Sequence, residues 1–239
     1  MRLDGKRAIV IGGSTGIGFE AARLLAEAGA TVVIAARTQA NLEAAARAIN
    51  GQVISRAFDG RVAAEMAALF AEVGPFDHLV LTMNTGGGIA PFHELHEERF
   101  RMTFENKFWP YIDAVRHALK TMAADGSITL VTGGAARKAV RGASGIAATN
   151  GALHAMVGPL ALELAPRRIN AVSPGVINTP YWRTVAEEKR REMFDMAASQ
   201  VPVGRVGTPA DIAQAIFYLV TSTFTTGAIL DCDGGLHIT

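Results

Sequence analysis

Short runs of β-branched and aliphatic residues alternate along this chain with longer, alanine-rich stretches whose apolar positions recur every three or four residues. The runs "RAIVIG" (7–12), "TVVIAA" (31–36), "QVISRA" (52–57), "HLVLT" (78–82) and "SITLVT" (127–132) predict buried strands, and "RINAV" (168–172) and "AILDC" (228–232) predict two more. Helical periodicity predicts helices near 16–28, 39–50, 61–73, 97–123, 145–165 and 209–222. In the first of these, Ile17, Ala21, Leu24, Leu25 and Ala28 share one face, and Gly29 follows as a good terminator. Strands that are apolar throughout, each followed by a helix, call for a parallel sheet covered on both faces with right-handed crossovers. The expected fold class is therefore α/β, a doubly wound parallel sheet of about seven strands. No repeat, low-complexity tract or Pro/Ser-rich linker interrupts the pattern, so residues 1–239 are expected to form a single domain.

Composition narrows the setting. With 49% hydrophobic residues the chain can bury a sizeable core, and a formal net charge of +1 with interspersed signs gives no reason to expect nucleic acid or an anionic membrane as partner. Cys232 is the only cysteine, which excludes an intramolecular disulfide and suits a reducing compartment. The N-terminal stretch "MRLDGKRAIVIGG" has no long apolar region, and no run of about 18 apolar residues follows anywhere. A cytoplasmic protein without signal peptide or membrane span is expected.

The stretch "IVIGGSTGIGFE" sets Gly12, Gly16 and Gly18 between the first strand and the first helix, with Ser14, Thr15 and Ile17 among them. Glycines there let the backbone turn sharply, approach a pyrophosphate and pack helix on sheet, with the anion on the free N–H groups of the helix. A plain glycine-rich turn is the competing reading; the strand before and the helix after favour a dinucleotide site. The spacing G-x-x-x-G-x-G resembles that of the short-chain dehydrogenase/reductase family, whose fold is Rossmann-type, and the resemblance extends over nearly the whole chain. "FDG" (58–60) is similar to the family's adenine-binding turn, which implies Asp59 near the adenine amino group. "MNTG" (83–86) stands where the family usually has N-N-A-G, so Asn84 and Gly86 match while Met83 and Thr85 depart. "INAVSPGVINTP" (169–180) resembles the segment over the nicotinamide, which implies cofactor contacts for Pro174, Gly175, Ile177 and Thr179. "GTPADIAQAIFYLV" and "TTGAILDCDGG" are similar to its last helix and strand. The resemblance also implies a homotetramer or homodimer.

The end of the second strand bears on the cofactor. A site for NAD wants a carboxylate there to accept from the adenosine ribose. Here Ala36 holds that place and Arg37 follows, whose guanidinium can grip a 2′-phosphate; Ser14 and Thr38 can add hydroxyl donors. Thr15 stands where NADP-preferring relatives often carry a basic residue. NADP(H) is the expected cofactor, against a solvated Arg37 as the bland reading.

In the family a serine after the fifth strand polarises the substrate carbonyl, a tyrosine on the next helix gives the proton, and a lysine four residues on lowers the tyrosine's pKa. The resemblance places Gly133 at the serine, Ile146 at the tyrosine and Asn150 at the lysine. No tyrosine lies between Tyr111 and Tyr181, so Y-x-x-x-K is absent under any alignment. Asn150 keeps amide donors and acceptors that suit a ribose hydroxyl. Asn106 is the one surviving member of the set; Pro110, four residues later, has no N–H to bond its carbonyl and is expected to leave a kink or π-like bulge. Losing a positioned general acid costs about 10²–10⁴ in rate, and losing an oxyanion donor about 10²–10³ more.

Other candidates are weaker. His154 reads as a helix-packing residue, and Arg137, Lys138 and Arg141 as solvated loop cations that could alternatively bind an anionic substrate. Tyr181 and Trp182 fall where the family has a substrate lid, and "EEKRRE" (187–192) reads as a solvated helical face. "HELH" (93–96) falls short of H-E-x-x-H, so no metal site is expected. The leading expectation is an atypical NADP(H)-dependent oxidoreductase acting on an unidentified small molecule that needs no strong acid, such as a conjugated alkene or iminium. The rivals are a non-catalytic NADP(H)-binding sensor or scaffold, and non-redox chemistry in the pocket.

Overall fold

The fold is a seven-stranded, wholly parallel sheet in the order β3-β2-β1-β4-β5-β6-β7. The computed structural model describes residues 2–83 and 88–239, so Asn84 and Gly86 lie outside the described residues. The strands are β1 (Arg7–Ile11), β2 (Thr31–Ala36), β3 (Val53–Ala57), β4 (Phe76–Leu81), β5 (Met122–Val131), β6 (Arg168–Pro174) and β7 (Ile229–Cys232). All seven predicted strands are present. The α-helices are α1 (Gly16–Glu27), α2 (Gln39–Ala48), α3 (Ala63–Val73), α4 (Glu97–Thr103), α5 (Trp109–Ala118), α6 (Ser144–Glu163), α7 (Glu187–Ser199) and α8 (Pro209–Thr221).

Alternation along β1 shows how the sheet is covered. Ile9 and Ile11 point into one core with Met66, Leu69 and Phe70 of α3, Ala114 and Val115 of α5, and Leu153 and Val157 of α6. Ala8 and Val10 point into the other, with Ala21, Ala22 and Leu25 of α1, Leu42 of α2, and Ile212 and Ile216 of α8. Both faces of the central strands are thus closed, as their unbroken apolar runs require. Helix α8 starts on a reciprocal cap: Thr208 Oγ1 accepts from the Asp211 backbone N–H at 3.4 Å, and Asp211 Oδ2 accepts from the Thr208 backbone N–H at 2.7 Å. Arg168, at the start of β6, donates to the carbonyls of Leu219 and Val220 and so holds the far end of the same helix.

The predicted helix over 97–123 is not one helix. After α4 the backbone widens into a π-helical turn over Phe104–Phe108, in which the Trp109 N–H bonds the Phe104 carbonyl, and α5 then runs only to Ala118. Met122 already belongs to β5 and is buried. An apolar residue four positions after Ala118 satisfies a helical face as well as a strand start, so periodicity alone misplaced this end. Helix α7 extends the short charged stretch read as a helical face to thirteen residues, none of them buried.

Candidate active site

Strands β1, β2 and β3 run outward in order, and the chain then returns to place β4 beside β1. At that reversal the loops after β1 and β4 part, leaving a crevice at the carboxyl ends of the strands. The cleft there has a volume of about 340 Å³, within the range of about 300–1,000 Å³ usual for small-molecule sites. Its floor is the turn Gly12–Gly18. Gly12 and Gly16 have φ of 89° and 56°, which glycine alone tolerates freely. A Cβ at Gly18 would meet the Gly12 carbonyl and stand 2.5 Å from Thr82 Oγ1, itself bonded to the Ile11 carbonyl. Thr15 precedes α1 in extended conformation without capping it by its side chain, so the helix presents uncapped N–H groups toward the cleft.

One wall carries Ser14, Thr15, Ile17, Arg37 and Thr38, as the sequence predicts, and also Asn41 of α2. Asp59 lines the facing wall, but its carboxylate is already engaged: Arg61 Nε donates to Oδ1 at 2.9 Å and the Arg61 backbone N–H at 3.0 Å. That pairing, with Arg37 nearby, holds the Asp59 carboxyl down at about 2. Arg61 is a second cation of the cleft that the pattern of the chain did not single out. The same wall is completed by Phe58 and Gly60.

Asn106 and Pro110 close the β4 side, and Thr179, Pro180 and Tyr181 lie over the glycine turn. The π turn ends just before Trp109–Pro110, matching the bulge expected from a proline without an N–H. Tyr181 packs edge-on against Trp182 at 5.2 Å, and Trp182 against Phe194 of α7 at 5.8 Å. Ile177 does not line this cleft. Its side chain is buried and lines a separate cavity with Val201 and Val203, while its carbonyl accepts the Trp182 indole N–H at 2.9 Å. The tight path of the chain turns it inward: Gly207 donates to the Val176 carbonyl, and Asn178 donates to the Gly207 carbonyl. Pro174 ends β6, and Gly175 lies so close to Asp233 that a Cβ would sit 2.9 Å from its Cα; neither lines the cleft described above.

Beyond Asn106, at the end of β5, Gly133 and Asn150 face each other: a Cβ on Gly133 would lie 2.8 Å from Asn150 Nδ2. Asn150 is buried and its Oδ1 has no hydrogen-bond partner among the described residues. Ile146 is half-buried, with its Cγ2 3.0 Å from the place a Cβ on Gly88 would take. Thr149 Oγ1 donates to Thr103 Oγ1 at 2.8 Å and fixes this end of α6 to α4. An unpaired buried acceptor and a cradle that only glycines permit both fit a bound dinucleotide.

Two residues at the β5 end escaped sequence reasoning. Lys107, on the π turn, donates from Nζ to the Thr132 carbonyl at 2.9 Å and lies 5.7 Å from the centre of the Tyr111 ring. Part of its stem stays accessible, yet its ammonium is sunk deep enough that desolvation lowers its pKa to about 8. The Tyr111 hydroxyl lies among the carbonyls of Val131, Leu81 and Met83 at 2.8, 3.0 and 3.2 Å, and burial raises its pKa far above the ordinary phenol value. His154, expected to serve packing alone, bonds Thr132 Oγ1 through Nε2 at 2.7 Å because one further helical turn from Asn150 brings it under the same strand end. The loop cations face elsewhere: Arg137 pairs with Asp231 at 2.9 Å, and Lys138 reaches Thr239 Oγ1 at 3.4 Å.

Comparison with known proteins agrees with this geometry. The family model described as Enoyl-(Acyl carrier protein) reductase matches residues 12–237. A short-chain dehydrogenase/reductase of Stachybotrys chlorohalonatus is 32% identical, covering 99% of this chain and 98% of its own. Among solved structures, a small-chain dehydrogenase in complex with NADPH is 31% identical with a TM-score of 0.86, covering 99% of this chain and 100% of its own. The NADPH-bound short chain oxidoreductase of Pseudomonas aeruginosa PAO1, described as containing an atypical catalytic center, is 29% identical with a TM-score of 0.91, covering 98% of each chain. A glycine cradle at the β1–β4 reversal, a fold shared with these structures and likeness along the full length lead to one assignment: the chain belongs to the short-chain dehydrogenase/reductase family.

Proposed function

We propose that this protein is an NADP(H)-dependent oxidoreductase whose proton delivery departs from the serine, tyrosine and lysine usual in its family. The observation that carries the cofactor reading is the cleft wall at the end of β2, where Arg37 and Thr38 stand beside Ser14 and no carboxylate replaces Ala36. NADPH in two similar structures supports the same choice. When bound, the reduced cofactor supplies a hydride. The chain's own part is to hold the pyrophosphate on the Gly12–Gly18 turn and the N-terminus of α1, to grip the 2′-phosphate with Arg37, and to meet a ribose hydroxyl with the unpaired Asn150 Oδ1.

At the β5 end, Gly133 and Ile146 offer neither a hydroxyl to an oxyanion nor a phenol to protonate it. A simple ketone would be left as an unsupported alkoxide. Acceptors that spread or cancel the charge, such as a conjugated carbonyl or a cyclic iminium, avoid that cost. The test is NADPH oxidation by the full chain with matched saturated ketones, conjugated enones and cyclic iminium ions at neutral pH. Turnover confined to the last two classes is expected; saturated ketones reduced as fast as the enones would overturn the reading.

A further inference from the structure

Resting on that reading, we propose that Lys107 is the proton donor of the site, its ammonium protonating the enolate that hydride addition to a conjugated carbonyl leaves, not the oxygen of a saturated ketone. Asn106, the residue before it, lines the cleft, and the π turn carries both. The Lys107 Nζ bond to the Thr132 carbonyl sets the amine at the carboxyl end of β5, one residue before Gly133 and the wall it forms with Asn150. That is the end of the sheet where ligands of open α/β folds react.

The surroundings suit an acid. Among the described residues no carboxylate pairs with Lys107; the groups facing it are the Tyr111 ring from α5 and, through Thr132, His154 from α6. His154 is itself held toward its neutral form, first by burial and then by Arg137. Of its three N–H donors the ammonium spends one on Thr132 among the described residues, which leaves others for a reacting atom. A lysine near pH 8 is mostly charged at neutrality yet gives its proton readily, as a general acid should. Tyr111 does not compete, because its hydroxyl proton is directed at backbone carbonyls.

In the step, a conjugated carbonyl gains a hydride, one proton with two electrons, from the reduced dinucleotide, and the resulting enolate takes a second proton from Lys107; an iminium is already neutralised by the hydride. The Nζ–H bond breaks, the new O–H or C–H bond forms on the enolate atom holding the electron pair, and the neutral lysine amine regains its proton from solvent.

Lysine side-chain NMR of the full chain, titrated with and without NADP⁺, reads this directly. One amine should titrate near pH 8 and be missing in Lys107→Arg. Saturating NADP⁺ should lower its midpoint, since a cationic nicotinamide close by disfavours a second cation. With 2-cyclohexenone as probe, Lys107→Met should lower kcat about 10²–10⁴-fold while NADPH affinity, followed by fluorescence, stays within about twofold. Lys107→Arg retains a cation over Tyr111 and a donor to Thr132, but it cannot release a proton near neutrality, so it should lose turnover too. An ordinary lysine midpoint, an amine unmoved by NADP⁺ while NADPH demonstrably binds, or wild-type kcat in Lys107→Arg overturns the role of Lys107 alone. Failure of NADPH to bind the wild-type protein overturns the oxidoreductase reading and this role with it.

Discussion

Arg37 is exposed and lines the cleft just beyond Ala36, with no side-chain hydrogen bond to another described residue. A charged hydrogen bond to a 2′-phosphate is worth about 1.5–3 kcal/mol, so Arg37→Ala should erase most of any preference for NADPH over NADH. Parallel fluorescence titrations of both cofactors check this; an undiminished preference would shift attention to Arg61. His78 makes a different kind of prediction. It is buried, with Nδ1 2.9 Å from Ser127 Oγ and Nε2 unpaired among the described residues, and desolvation lowers its pKa from 6.5 to about 4. The unfolded chain therefore takes up a proton between those values that the folded one refuses. Its contribution to stability is complete above 6.5 and is lost as pH falls toward about 4. Urea midpoints at neutral and mildly acidic pH should diverge more in the wild type than in His78→Gln. The place of Arg37 and Asp59 on the cleft wall was legible in the sequence because a turn or strand end fixes where they lie. Lys107 was not, because no spacing announces that a lysine among phenylalanines will be drawn inward rather than reach for water.

Among the elements, β5 and α6 bring Gly133 and Asn150 together at the carboxyl end of the sheet. The close approach of Gly133 to Asn150 means that Gly133→Ser alone would push its Cβ against the amide at 2.8 Å, and that exchanging Asn150 without it would leave a lysine no hydroxyl to work with. Groups that act as a unit are strongly non-additive. The triple variant Gly133→Ser, Ile146→Tyr, Asn150→Lys should gain reduction of saturated ketones, and each single variant should show none above background, measured as NADPH consumption. The elements themselves were read well from the pattern where caps or glycines bound them, as at Gly29 and at Thr208–Asp211. The region after Thr103 was read less well. Pro110 foretold the bulge, but the early end of α5 depended on Met122 joining the sheet, a tertiary contact no local pattern contains.

Across the whole molecule, seven apolar runs fixed seven strands, and the helices between them fixed a parallel sheet. The strand order is a property of the structure and not of the pattern, because periodicity cannot tell whether β4 pairs with β1 or with β3. That order has a consequence in time. β4 registers on β1 through Ala8–His78 to Ile11–Leu81, so the middle of the sheet joins segments some seventy positions apart. A chain emerging from the ribosome completes β1, β2 and β3 long before Phe76 exists, and for that interval β1 has an open edge between two apolar faces. Docking of β4 closes a long loop, which contact order makes slow, and until it occurs the bare edge of β1 is a place where two nascent chains can pair with each other.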